Sequence, residues 1–170
     1  MMANLTVPAQ TTASSEYQLK AVFLFNFTQF VEWPPSSFAT DEASMVIGIL
    51  GDNPFGSYLE ETVAGEKVNG HPVTVRYYKK TEEIKTCHIL FINFREPKRQ
   101  EQAVADLRGR NILTVSDAPK FPEYGGVVKF FKKENRIKIQ INLAASKAAD
   151  LVISSKLLRL AEIFDPRENN

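Results

Sequence analysis

Asp52, Asn53, Ser116 and Asp117 are the polar side chains best placed, by type and spacing, to hold a ligand. Each lies at or just past the end of a short apolar run: "MVIGILG" closes at residue 51 and "NILTVSD" at residue 117. If both runs are parallel strands, the four sit beyond strand carboxyl ends, where open α/β sheets bind ligands. The stretch "GDNPFG" adds Phe55 and Gly56 and a helix start whose unpaired N–H groups could receive an anion. The ligand class this implies is an amino acid or an anionic metabolite. Against it stands the plainer reading of these residues as turn and cap chemistry. "GDNPFG" lacks the Lys-Ser/Thr of a phosphate-binding P-loop and the three-glycine spacing of a dinucleotide site. Asp52 and Asp117 could face each other as a phosphoacceptor's acidic cluster does, but no acidic pair precedes them and no lysine follows a later strand at the required place.

Covalent and metal chemistry find less support. Cys87 and His88 are adjacent, and neighbours on a strand point to opposite faces, so they form no dyad. Cys87 reads as an inert strand residue. Two histidines and one cysteine are too few for a convincing metal site. No serine sits in a nucleophile-elbow pattern. The sequence therefore points away from an enzyme and names no metal or cofactor.

The elements that must position these residues follow from the pattern. "MVIGILG" (45–51), "CHILFINF" (87–94) and "NILTVSD" (111–117) read as buried parallel strands. "HPVTVRYYKK" (71–80) alternates and reads as a further strand. Helices are expected over 54–64, closed by Gly65, and over 97–109, with Pro97 at the start and Gly109 at the end. Gly125-Gly126 marks a tight bend or bulge. Val128 and Phe130, then Ile137, Ile139 and Ile141, alternate with polar residues around Lys133-Glu134-Asn135, which predicts an antiparallel hairpin. Asn142 is a natural N-cap for the next helix, and Ser154 or Ser155 for a last one, with a break near 152–154. The alternation of types predicts a single-domain α/β sandwich: a mainly parallel central sheet, an antiparallel C-terminal hairpin, and helices on both faces.

"KAVFLFNFTQFVEWPP" (20–35) needs separate treatment. Its unbroken apolar run spans only 21–25, too short for a membrane span or a leader's apolar core. The spacing predicts a helix from a Ser14 or Ser15 cap to about Trp33, where Pro34-Pro35 stops it. Its stripe would be Leu19, Val22, Phe23, Phe27, Phe30 and Val31, with Leu24 and Phe25 on the flanks. Part of this aromatic surface could be a docking face, since aromatics are enriched at interface centres. Phe25 is the candidate there, joined by Leu157, Leu158 and Arg159 of the last helix.

Composition bounds the rest. A chain of 170 residues suits one domain with a real core. Net charge is +1, and the basic clusters Lys79-Lys80 and Lys132-Lys133 are followed by acids, so they read as solvated surface and not as a nucleic-acid stripe. Residues 1–15 are polar and rich in small residues and are expected to be a loose tail, either that of a cytoplasmic protein or one standing where a leader was removed, the doubled Met slightly favouring the second. The domain is expected over 16–164, with a short tail over 165–170.

The blocks "EYQLKAVFLFNFTQFVEWP", "VIGILGDNPFG", "VNGHPVTVR", "CHILFI", "ILTVSD", "GGVVKFF" and "NRIKIQINLAASKAADLVISSKLLRLA" resemble, in order and spacing, the YfiR-like family of bacterial periplasmic proteins. The resemblance runs from Glu16 to Ala161. It implies a non-enzymatic periplasmic protein, expected as a homodimer. Such a protein restrains a membrane-bound diguanylate cyclase by binding its periplasmic sensor region, and so limits cyclic di-GMP and biofilm formation. Internal disulfide control, which the resemblance would suggest, is closed to a chain whose single cysteine is Cys87.

Overall fold

The computed structural model describes residues 10–169. The elements in chain order are α1 (Gln10–Phe30), β1 (Val31–Glu32), β2 (Met45–Gly51), α2 (Tyr58–Val63), β3 (Lys67–Val68), β4 (His71–Tyr78), β5 (Ile89–Asn93), α3 (Pro97–Asp106), β6 (Leu113–Ser116), β7 (Val128–Lys133), β8 (Arg136–Ile141), α4 (Leu143–Ala148), β9 (Val152–Ile153), α5 (Ser155–Leu160) and β10 (Glu162–Ile163).

Eight strands form one sheet in the order β10-β8-β7-β6-β5-β2-β4-β3. The five from β4 to β7 run parallel, and β7 pairs with β8 antiparallel. The chain leaves β2 for β4 on one side and then returns to β5 on the other. The gap between the carboxyl ends of β2 and β5 is therefore the topological switch point. Gly51 closes β2 there at φ +95, and a Cβ on it would lie 2.3 Å from the Asn93 carbonyl oxygen, so only glycine lets the two strand ends meet.

Alternation along each strand divides the side chains between two cores. Ile47, Ile49, Phe91, Val115, Phe130 and Ile139 face α1, α2 and α5. Val46, Leu50, Leu90 and Ile92 face α3, with Phe121 from the loop before β7. A Cβ on Gly126 would fall 2.3 Å from the Phe121 ring, which makes the expected bend a close-packing site.

Many expected features hold. The bounds of β2 coincide with the apolar run, and the hairpin turns at Glu134-Asn135, both at positive φ, with Lys133 still paired in the strand. Asn142 Oδ1 accepts from the Ala145 N–H at 3.0 Å, and Ser154 Oγ from the Leu157 N–H at 3.3 Å, so both caps form as expected.

The differences have physical causes. The first helix starts at Gln10, ahead of the expected Ser14 or Ser15 cap, and ends at Phe30 because Val31–Glu32 pairs with Val152–Ile153. Of the loose tail expected over residues 1–15, residues 10–15 belong to α1 and residues 1–9 lie outside the described residues. The buried apolar stripe of α1 is Ala21, Leu24 and Phe27, continued by Val31 of β1, whereas Leu19 and Val22 are exposed. Apolar residues occupy so many positions in this helix that periodicity alone does not fix its rotation. The second helix starts at Tyr58, not at residue 54, because Asn53 Oδ1 takes the Phe55 N–H and holds the segment in a turn. The strand pair β3–β4 was signalled by Asn69-Gly70, a tight-hairpin dipeptide the strand reading passed over.

Candidate functional site

The carboxyl ends of β2, β5 and β6 line two adjoining clefts that share Asn93, Phe94 and Arg95. One, of about 440 Å³, lies toward β6 and is closed by Gln100, Ser116, Asp117, Lys120 and Tyr124. The other, of about 360 Å³, lies toward β2 and includes Asp52, Lys79 and Arg99. The strand-end expectation thus finds a real concavity.

The polar groups around it have internal work. Asp117 accepts from the Tyr17 hydroxyl at 2.8 Å and from Lys20 Nζ at 2.9 Å. Lys20 is only 4% exposed and also reaches Glu16 at 3.3 Å, while Asp117 keeps 25% of its side chain in solvent. Lys20 Nζ lies 4.4 Å from the Tyr17 ring centroid and 5.7 Å from that of Phe130, so aromatic faces shelter the charge. The Tyr17 phenol is held well above its ordinary range, first by burial and then by its bond to Asp117. These contacts tie α1 to the tip of β6. Lys20 and Tyr17 escaped the sequence reading. The signal was a Glu16/Lys20 pair, one turn apart, at the head of an apolar stripe.

Ser116 is similarly committed. Its Oγ donates to the Ile92 carbonyl at 2.8 Å and accepts from Gln100 Nε2 at 2.6 Å. Gln100 Oε1 in turn accepts from the Phe94 N–H at 3.1 Å, so Gln100 staples α3 to two strand ends.

The structure separates Asp52, Asn53, Phe55 and Gly56 from Ser116 and Asp117. Asp52 and Asn53 are exposed, and Asn53 spends its side chain on the Phe55 N–H and the Gly56 carbonyl. Phe55 is fully buried, edge-on to Tyr17 at 5.5 Å and Phe91 at 5.0 Å. Within the expected anion seat the Phe55 N–H is occupied by Asn53 Oδ1, and the helix proper starts at Tyr58.

The docking residues also divide. Phe25 is half-buried and packs on the core, which corrects the expectation that it is exposed. Leu157 is buried and Leu158 half-buried. Arg159 is exposed, next to Leu160 at 71% exposure.

Cys87 and His88 face different surroundings. Cys87 is buried against Tyr78 in the α3-side core, and burial pushes its thiol up to about 12, so it stays protonated. His88 Nδ1 accepts from the Val46 N–H at 3.0 Å, and Nε2 donates to the Ser37 carbonyl at 2.9 Å. Its ring stacks on Phe38 at 4.3 Å, and Phe38 stacks on His71 at 3.9 Å. Burial holds His88 below its ordinary value, in the neutral form these bonds require. Among the described residues no group of three or more His, Cys, Asp or Glu gathers as a metal site.

A doubly wound α/β domain with internally bonded strand tips is the class this geometry defines. The chain belongs to the YfiR/HmsC-like family, whose pattern its residues 17–162 match. No curated protein matches the chain. No helix among the described residues is long and apolar enough to cross a membrane.

Proposed function

We propose that this chain is a non-enzymatic periplasmic regulatory protein. It binds the periplasmic sensor region of an inner-membrane diguanylate cyclase and restrains it, lowering cyclic di-GMP and biofilm formation. Membership of the YfiR/HmsC-like family supports this reading. The structural observation that carries it is the internal use of the strand-tip chemistry: Asp117, Ser116 and Gln100 hold the fold together, and the Cys87 thiol stays protonated. A homodimer is the expected form. Arg159 and the flanking apolar surface of α5, with the partly exposed edges of Phe25 and Leu158, belong to the proposed contact surface. The test is cyclic di-GMP in cells lacking the gene and in cells with it restored. A rise on deletion, reversed by the wild-type copy, supports the reading; unchanged levels reject it.

A second reading rests on the cleft of about 440 Å³, whose mouth carries the exposed cations Arg95 and Lys120 beside the half-buried Phe94 and Tyr124. This combination suits a small carboxylate with an apolar body, an amino acid or an anionic metabolite, with Asp52, Asn53, Ser116 and Asp117 bordering the strand ends. A ligand at 100 times its dissociation constant adds about 2.7 kcal/mol of stability. A thermal-shift screen over amino acids and organic acids without any such gain rejects this reading.

A further inference from the structure

The hairpin β7–β8 carries two unlike faces. Val128, Phe130, Ile139 and Ile141 point toward α1 and are buried. The register sets Lys133 opposite Arg136, Phe131 opposite Lys138 and Lys129 opposite Gln140, and alternation puts all six on the other face. Lys133, Arg136 and Lys138 are exposed; Lys129, Phe131 and Gln140 are half-buried. The core beneath α3 contains no residue of either hairpin strand and ends at Phe121 and Tyr124. This sheet face therefore lies open.

Its charge is unbalanced. Lys132 turns to the covered face and pairs with Glu16 at 3.5 Å. On the open face Glu162 pairs with Lys133 at 3.1 Å. Lys129 donates to the Pro119 carbonyl at 3.2 Å and lies 5.6 Å from the Phe131 ring centroid. Arg136 and Lys138 pair with no carboxylate among the described residues. Lys133 and Arg136 stand directly opposite, an arrangement that costs stability in a strand pair. Arg136 and the half-exposed Phe131 are of the residue types enriched at protein interfaces, and the lysines beside them supply charge complementarity to an acidic partner. A lipid surface would need apolar side chains that project for insertion, and Phe131 is half-buried.

We propose that the open face of β7–β8 docks an acidic protein segment, whose carboxylates meet Lys133, Arg136 and Lys138 while an apolar side chain covers Phe131. The inference rests on the regulatory reading above and names its docking surface and the chemistry of the partner. The test uses the full chain and a variant with Lys133→Glu, Arg136→Glu and Lys138→Glu. A second variant carries Gln at the same positions, and melting curves establish that each is folded. The probes are a labelled peptide of alternating Glu and Val, its Gln-for-Glu counterpart, and phosphatidylglycerol vesicles. Amide shifts caused by the Glu peptide are expected to cluster in residues 128–140. Its affinity is expected to fall roughly tenfold or more with either variant, since paired charges set such contacts. Scattered shifts, equal binding of the Gln peptide, or binding to vesicles alone overturns the proposal. In cells, a charge-reversed variant that restrains cyclic di-GMP as well as wild type overturns this face and leaves the regulatory reading standing. If wild type itself has no effect on cyclic di-GMP, the regulatory reading fails and the peptide arm alone decides the face.

Discussion

The two faces of the sheet use their side chains differently. On the α1 face Phe27, Phe55, Phe91 and Phe130 are all fully buried, with Phe91–Phe130 at 6.4 Å and Phe27–Phe130 at 6.2 Å. On the α3 face the covered area stops at β6, and the hairpin beyond it is left to solvent. One face holds the fold together; the other keeps a charged surface at some cost to the fold. Within that patch Lys133 and Lys129 have partners in the fold, and Arg136 and Lys138 are the groups proposed to meet a partner.

The strongest way to break this contrast is to truncate one phenylalanine on each face. Phe91→Ala is expected to lose about 3–5 kcal/mol, as large-to-small changes in tight cores do. Phe131→Ala should lose well under half of that, because the ring is already partly in solvent. Denaturant melts of both variants decide the matter, and comparable losses would mean that the hairpin face is core after all.

The buried charge of the α1 face sharpens the comparison. Breaking a buried ion pair costs about 3–5 kcal/mol; Asp117 is partly exposed and Glu16 remains beside Lys20, so Asp117→Asn should cost about 2 kcal/mol. The double variant Lys20→Met with Asp117→Asn is expected to recover much of the loss, since no buried charge is then left alone. A double-mutant cycle that shows simple additivity would deny the pairing its role.

A smaller effect comes from His88. The native chain resists protonating a ring that the unfolded chain protonates near its ordinary value of 6.5. The stability this ring contributes is whole above that pH. It is lost as pH falls toward the lower native value. Wild type should therefore lose more stability between pH 7 and pH 5 than His88→Asn does, with parallel curves as the contrary result.

The least change, and the most telling in sign, is expected at the open face. Arg136→Glu removes a like-charge pair with Lys133 and should raise stability by a few tenths of a kcal/mol. The same substitution is expected to weaken docking of an acidic segment. Stability that falls instead would show that Arg136 is already satisfied within the fold.

Much of this architecture was legible locally. The strand run at Met45–Gly51, the turn at Glu134-Asn135 and the caps Asn142 and Ser154 each depend on residues a few positions apart, where backbone preference and short-range bonding decide. The strand ends beyond Gly51 and Ser116 were legible as a place, and the clefts are there. The use of their residues was not: Asp117 meets Lys20 across 97 positions and Tyr17 across 100. The pairings of β1 with β9 and β10 with β8 were equally hidden, since two-residue strands carry no periodicity.

The sequence by itself determined the order and type of the longer helices and strands and the α/β class, because these follow from alternation, caps and turns read along the chain, and its successive blocks carried the resemblance to the family. Only the tertiary structure decided how α1 is rotated, which polar groups are already engaged, and that the basic residues after Phe130 stand on an uncovered sheet. The physical reason is that burial and charge pairing are set by what arrives from distant parts of the chain. A local pattern fixes which face a residue shares, and it does not fix what covers that face.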